Sequence, residues 1–349
     1  MRCIFCLKER PGSEEHVFPL AIGGSLITDR VCEPCNSTLG SRVDAALSDN
    51  FAIRIRRGQL GLAGNSRTAP GQFEILTGVA QLADGSGKRI HASLNEATGK
   101  LDLRALHHAT DIDLPDGRKI RQITIDERDI DQIPTIIQRE RKRHGLPPLS
   151  QEDIAVEVEK AKQTLTSHEN PEITKTFSVN YQYLRHAMMK IAYELAFLWL
   201  GESYLDDPMA AQLREAVCKA DFASTDEIPG YVGEASGCSA FPPWISSPTE
   251  HLAVTSTDGK AILLAVRVFD IYAAVIPVSL DAARYLAGQE DRSKLKFLAM
   301  ESTTGKLHVS TFIEEAMRLA SVHLATGIPL PLPLPSPLSV QPEPPPVSA

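Results

Sequence analysis

Several things are scarce in this chain of 349 residues, and each scarcity excludes something. It has no long hydrophobic run: the most apolar stretch, IAYELAFLWL at 191–200, is interrupted by Glu194 and is too short to span a bilayer. No secretory leader is expected, because MRCIFCLKER has no apolar core behind its basic start. With no targeting or lipidation signal in sight, the expected setting is the cytoplasm, with no membrane partner. Positive charge is not in excess: 36 Lys and Arg against 44 Asp and Glu give a net charge of −8 and a pI near 5.7. That balance excludes a protein that coats nucleic acid over a broad basic surface, so any such contact has to be local. There is no internal repeat, Walker loop, dinucleotide fingerprint or Ser-His-Asp arrangement. Cysteine is also scarce, at six residues, yet four of the six fall within the first 35 positions.

Those four form two Cys-x-x-Cys pairs, Cys3/Cys6 and Cys32/Cys35. Each pair can close on one metal from a tight turn, and two pairs complete a tetrahedral, closed, structural zinc site. A disulfide framework or redox thiols are the competing account, which a reducing compartment disfavours. Between the knuckles lie Glu14-Glu15-His16, then Val17-Phe18-Pro19, read as a short strand ending at proline, then a Gly23-Gly24 turn. Asn36 follows the last cysteine directly and opens a segment, Asn36 to Leu47, that reads as a helix.

The order CxxC, EHxxP, Gly-Gly, CxxCN, GxxxD resembles the zinc-bearing branch of the HNH, or ββα-metal, endonucleases. The resemblance covers residues 1–50. It implies metal-dependent hydrolysis of phosphodiester bonds in nucleic acid, DNA foremost. It further implies His16 as general base, with Glu15 and Asn36 holding one divalent cation. Asp44, eight residues beyond Asn36, stands near the position of the family's last metal-binding histidine and is a further candidate ligand. The sequence departs from the pattern there, having no histidine, and it has Asp29 near the place of the family's middle Asn.

The residue types suit that chemistry on their own terms. A neutral imidazole with a pKa near roughly 6.5 can take a proton from water at physiological pH. A carboxylate and an amide oxygen suit a hard cation such as Mg²⁺ or Mn²⁺ that keeps positions open for phosphate, whereas thiolates suit Zn²⁺. Two metals with two tasks are therefore expected. A zinc knuckle that binds nucleic acid or protein without cutting is the alternative reading.

Residues 1–60 carry eight Lys and Arg against seven Asp and Glu, so this part is near neutral while the acid excess lies elsewhere. In FAIRIRRGQL (51–60), the alternation of Ile53 and Ile55 with arginine predicts a strand, and Arg54, Arg56 and Arg57 are candidate phosphate contacts. The expected fold class is α+β. A zinc-stapled ββα module over 1–60 precedes a mixed region over 61–327, and a disordered Pro-rich tail fills 328–349. Within the mixed region, 71–126 reads as a β-meander and 127–167 as two helices, the second opened by a capping box at Ser150. Over 180–200, Leu184, Met188, Ile191, Ala192, Leu195 and Leu198 recur at helical spacing, with Arg185, His186 and Lys190 toward the other side. Residues 221–250 read as loop, 251–278 as strands turned at Asp258-Gly259, and 295–310 as a hairpin. A last helix is expected over about 311–325.

Overall fold

Two short antiparallel strands and a helix carry the first fifty residues. Strand β1 (Ser13–His16) pairs with β2 (Ile27–Val31), placing Glu15 opposite Thr28 and His16 opposite Ile27. Helix α1 (Glu33–Leu39) starts at Cys32 with Pro34 in its first turn, where a missing N–H costs nothing. It continues through a π-helical turn, Gly40–Asp44, into α2 (Ala45–Ser48). In the computed structural model, the protein is described over residues 1–317 apart from 72–75, 96–97, 118, 168–170, 220–224, 242–246, 289–292, 312–313 and 316. The Pro-rich stretch from 328, and most of the helix expected over 311–325, lie outside the described residues.

Residues 51–60 form a helix, α3 (Phe51–Leu60), and not the expected strand. Asn50 caps it, its side chain accepting from the Ala52 N–H, while Tyr272 donates a hydroxyl to the same oxygen. The buried residues Ile53, Arg57 and Gly58 follow helical spacing, and the alternation that predicted a strand extends over only four residues.

The chain divides into two compact units, Met1–Gln72 with Val179–Ala349, and Phe73–Ser178. The second unit holds β3 (Gly78–Leu82), β4 (Arg89–Asn95) and β5 (Lys100–Ala105), followed by a separate ribbon of β6 (His108–Asp113) and β7 (Lys119–Thr124). Helices α4 (Ile133–Arg143) and α5 (Gln151–Gln163) come next, and Ser150 caps α5 by accepting from the Asp153 N–H at 3.1 Å. Strand β8 (Ile173–Thr174) returns to the edge of β3, so the expected meander is a four-stranded sheet plus a two-stranded ribbon.

In the first unit, helix α6 (Tyr181–Leu200) is buried on nearly every side. A helix apolar all round belongs inside a core, yet this one carries His186, Lys190 and Glu194 in buried positions. His186 and Lys190 therefore do not lie on an outer side. Helix α7 (Pro208–Lys219) packs beside it. Across them lies a six-stranded antiparallel sheet in the order β14-β13-β10-β11-β12-β9. Its strands are β9 (Tyr231–Glu234), β10 (Glu250–Thr257), β11 (Ile262–Val268), β12 (Tyr272–Ser279), β13 (Lys296–Glu301) and β14 (Leu307–Thr311). Strand β9 falls in the region expected to be loop.

One continuous core joins the first fifty residues to this sheet and to α6. It includes Cys3, Ile4, Phe18 and Leu47 together with Leu184, Tyr193, Leu264 and Met300. Tyr193 of α6 packs on Phe5 at 5.1 Å between ring centres and donates its hydroxyl to the Ile4 carbonyl at 2.5 Å. The expected boundary at residue 60 thus falls inside a unit and not at its edge. Among the described residues, no helix is long and apolar enough to cross a membrane.

Candidate active site and zinc centre

The sulfurs of Cys3, Cys6, Cys32 and Cys35 all lie within 4.8 Å of one another. None is in a disulfide, and Cys6 Sγ stands 3.7 Å from Cys32 Sγ. A disulfide needs about 2.05 Å. A zinc tetrahedron with Zn–S near 2.3 Å has sulfur–sulfur edges of roughly 3.8 Å. The spacing therefore fits the ion and excludes the covalent bond. Burial, with the neighbouring sulfurs, pushes the Cys6 and Cys35 thiols up. Burial acts on Cys3 in the same sense, but backbone N–H groups aimed at its sulfur outweigh it and bring that thiol down to about 7. Among the described residues this is the one group of three or more His, Cys, Asp or Glu placed to hold a metal.

His16 ends β1. Its Nδ1 lies 2.9 Å from the Gly24 carbonyl oxygen. A carbonyl can only accept, so Nδ1 carries the hydrogen and Nε2 holds the lone pair of the neutral ring. Nε2 faces the exposed carboxylate of Glu14 at 3.5 Å. The turn that supplies the carbonyl admits only glycine. Gly23 has φ +85°, and a Cβ on Gly24 would come within 1.8 Å of the Phe18 carbonyl oxygen.

The C-terminal sheet braces this turn. His251 of β10 is fully buried, stacks on Phe18 at 5.3 Å and bonds the Ile22 carbonyl through Nε2 at 2.8 Å. The Phe269 N–H donates to its Nδ1 at 3.3 Å. Burial lowers the His251 pKa to about 4, against the opposing pull of the Ile22 carbonyl and Glu301. An unfolded histidine titrates near roughly 6.5. Between those values the unfolded chain takes a proton that the native one does not, so stability is intact above about pH 6.5 and is lost as pH falls toward 4. In urea denaturation from pH 7 to 4.5, the wild type should lose roughly 2–3 kcal/mol more than His251→Asn. Equal slopes for the two proteins would refute this account.

Glu15 points the opposite way from its neighbour. Its carboxylate is buried, and Lys190 Nζ of α6 donates to its Oε1 at 2.5 Å. The same ammonium donates to Asp44 Oδ2 at 3.1 Å and to the His16 carbonyl at 3.3 Å, and it stands 3.6 Å from Glu194 Oε2. Asp44 reaches this point from the π-helical turn, a distortion frequent at functional sites. Burial pushes Glu15, Asp44 and Glu194 above the usual carboxylate range, against the pull of Lys190. Burial would discharge Lys190, but the three carboxylates outweigh it and hold the ammonium charged. Glu15 and the further candidate Asp44 thus meet, with an ammonium where they converge, whereas Asn36, the expected partner of Glu15, turns its amide to β1.

The remaining candidates are placed differently. Asn36 donates its amide nitrogen to the Glu14 carbonyl at 2.7 Å and to Ser13 Oγ at 3.2 Å, clamping α1 to β1. Arg57 is buried, with Nη1 on the Ser48 carbonyl at 3.1 Å. Arg56 pairs with Asp270 at 2.9 Å and lies over Phe269, and Arg54 is half-buried. These arginines do not form the one basic strand face that the alternation predicted. A cleft of about 760 Å³ lies between β1, β2 and the end of α6, with Glu14, Asp29, Arg30 and Glu202 on its walls. Arg30 is tied to Glu202, so the cleft is acid-rich and is not itself a phosphate groove. Lys190 is the site residue that sequence reasoning missed. The available signal was its pairing with Glu194, one turn apart, inside the most apolar helix of the chain.

Residues 3–52 match the family model described as HNH endonuclease. The segment so matched carries both Cys pairs, the Glu15-His16 step and Asn36 through Asp44, and its cysteines are positioned to bind a metal, as in a zinc-bearing HNH branch. No curated protein and no solved structure matches the chain.

Proposed function

We propose that the N-terminal module hydrolyses phosphodiester bonds in nucleic acid, DNA foremost, with His16 as general base. The observation that carries this is the His16 ring, fixed through Nδ1 by Gly24 with the Nε2 lone pair toward the surface. A water placed there loses its proton to Nε2 as its oxygen bonds to phosphorus, while the bond from phosphorus to the leaving sugar oxygen breaks and that oxygen takes a proton from solvent. The Glu14 carboxylate at 3.5 Å stabilises the imidazolium that forms. Cys3, Cys6, Cys32 and Cys35 would hold a zinc that supplies no step and would tie α1 to the first knuckle, fixing the turn and strand around the imidazole.

The divalent Mg²⁺ or Mn²⁺ expected on Glu15 and Asn36, with Asp44 as a further ligand, would supply charge neutralisation at the phosphate. The oxygen donors suit that ion, but as arranged the residues do not admit it, because Lys190 fills the meeting point of Glu15 and Asp44. That same ammonium favours the second reading, a zinc-stapled module that binds without cutting.

The test is plasmid cleavage by the full zinc-loaded chain in Mg²⁺, in Mn²⁺ and with neither. His16→Ala should cut about 10²-fold more slowly or worse. Cutting that is unchanged in His16→Ala removes the assignment of the base. Binding without cutting in every ion selects the second reading.

A further inference from the structure

We propose that Lys190 is the resident cation of the Glu15–Asp44 site, filling the position a divalent ion would take and closing that site to Mg²⁺ and Mn²⁺ in the wild-type chain. This rests on the reading of Glu15 as a cation ligand with Asp44 as a further one, but not on whether the module cuts.

The ammonium is coordinated much as a metal would be. It has three hydrogens to donate, and three oxygens receive them: Glu15 Oε1 at 2.5 Å, Asp44 Oδ2 at 3.1 Å and the His16 carbonyl at 3.3 Å. Two of these belong to the acidic residues Glu15 and Asp44 of the ββα module, and the third belongs to the backbone of the candidate base. Lys190 is itself fully buried, so it neither reaches a phosphate nor exchanges freely with ions from solvent. Mg²⁺ needs its oxygens at about 2.0–2.1 Å in a near-octahedral shell. An ion bonded to both carboxylates would stand within a few ångström of the ammonium, two like charges in a buried pocket. One cation therefore excludes the other.

The site retains capacity beyond what Lys190 uses. Asp44 Oδ1 is buried and accepts no hydrogen bond, and neither oxygen of Glu194 accepts one. One ammonium faces three carboxylates, so removing it leaves buried acidic groups around a vacated position, whose charge a divalent ion can compensate once they draw together.

Binding of Mn²⁺ to the zinc-loaded full chain, followed by electron paramagnetic resonance and by the thermal unfolding midpoint, tests this without any cleavage readout. The wild type should show no stoichiometric Mn²⁺ site and no Mn²⁺-dependent rise in midpoint. Lys190→Met should bind one Mn²⁺ per chain and be stabilised by it, and adding Glu15→Gln should abolish both effects. A Mn²⁺ site in the wild type that Glu15→Gln or Asp44→Asn removes overturns the proposal. So does a folded Lys190→Met that binds no Mn²⁺. If circular dichroism shows Lys190→Met unfolded in the absence and presence of Mn²⁺, the wild-type arm decides. A wild-type site lost in Asp44→Asn overturns the proposal, and the absence of any wild-type site supports it. Plasmid cleavage that fails with His16 intact would count against the nuclease reading and leave these binding outcomes as they stand.

Discussion

Stripping zinc from the four cysteines should unfold the first unit as a whole and not the knuckles alone. Cys3 and Cys32 are buried in the same core as Leu47, Tyr193 and Met300, so the sulfur cluster and the sheet share their packing. Structural zinc contributes apparent binding free energies of about 10–16 kcal/mol in zinc-finger peptides, whereas a domain is stable by about 5–15 kcal/mol in total. The ion's contribution is thus comparable to the entire margin. A strong chelator, or Cys32→Ser, should lower the unfolding midpoint by tens of degrees or abolish the cooperative transition seen by circular dichroism and tryptophan fluorescence. If chelation leaves the midpoint where it was, the sulfurs do not hold a structural ion.

The second large effect concerns the ammonium of α6. Lys190→Ala removes the one cation from among Glu15, Asp44 and Glu194, all drawn together in a buried pocket. Breaking a buried pair by deleting one partner costs about 3–5 kcal/mol, because the other charge is left uncompensated. Lys190→Met combined with Glu15→Gln, Asp44→Asn and Glu194→Gln leaves no such charge and should recover most of that loss, since neutral replacement of a buried cluster is often nearly free. Urea denaturation measures both. A loss below about 1 kcal/mol for Lys190→Ala would place the pair in the weak, solvent-screened class, in conflict with its burial.

What the sequence disclosed, and what it did not, follows from the range of the interactions involved. The two Cys pairs are a local pattern and stand where spacing put them, but α1 opens at Glu33, three residues before the expected Asn36, and the strand lies at Ser13–His16 and not at the expected Val17-Phe18-Pro19. The strands at 251–278 and the hairpin at 295–310 were legible because turn residues and alternation mark them within a few positions of themselves. Residues 51–60 misled, since four alternating positions carry less weight than a capping Asn50 and the burial of Arg57 one turn after Ile53. Strand β9 went unread because four residues paired to the edge of β12 leave no periodic trace. Lys190 misled most: a lysine on a helical wheel reads as solvated, and its partners lie 175 and 146 positions away. No local rule reports that separation.

The Ile22–Gly24 segment is gripped from two sides, by His16 just before it and by His251 from a strand more than two hundred residues later. The first sixty residues are accordingly not a portable cassette. Excised and grafted onto another protein, they would leave Ile4, Phe5 and Phe18 facing water without their covering strands and helix. Any descendant that shuffled this segment away from its distant bracing would first have had to build a replacement for it.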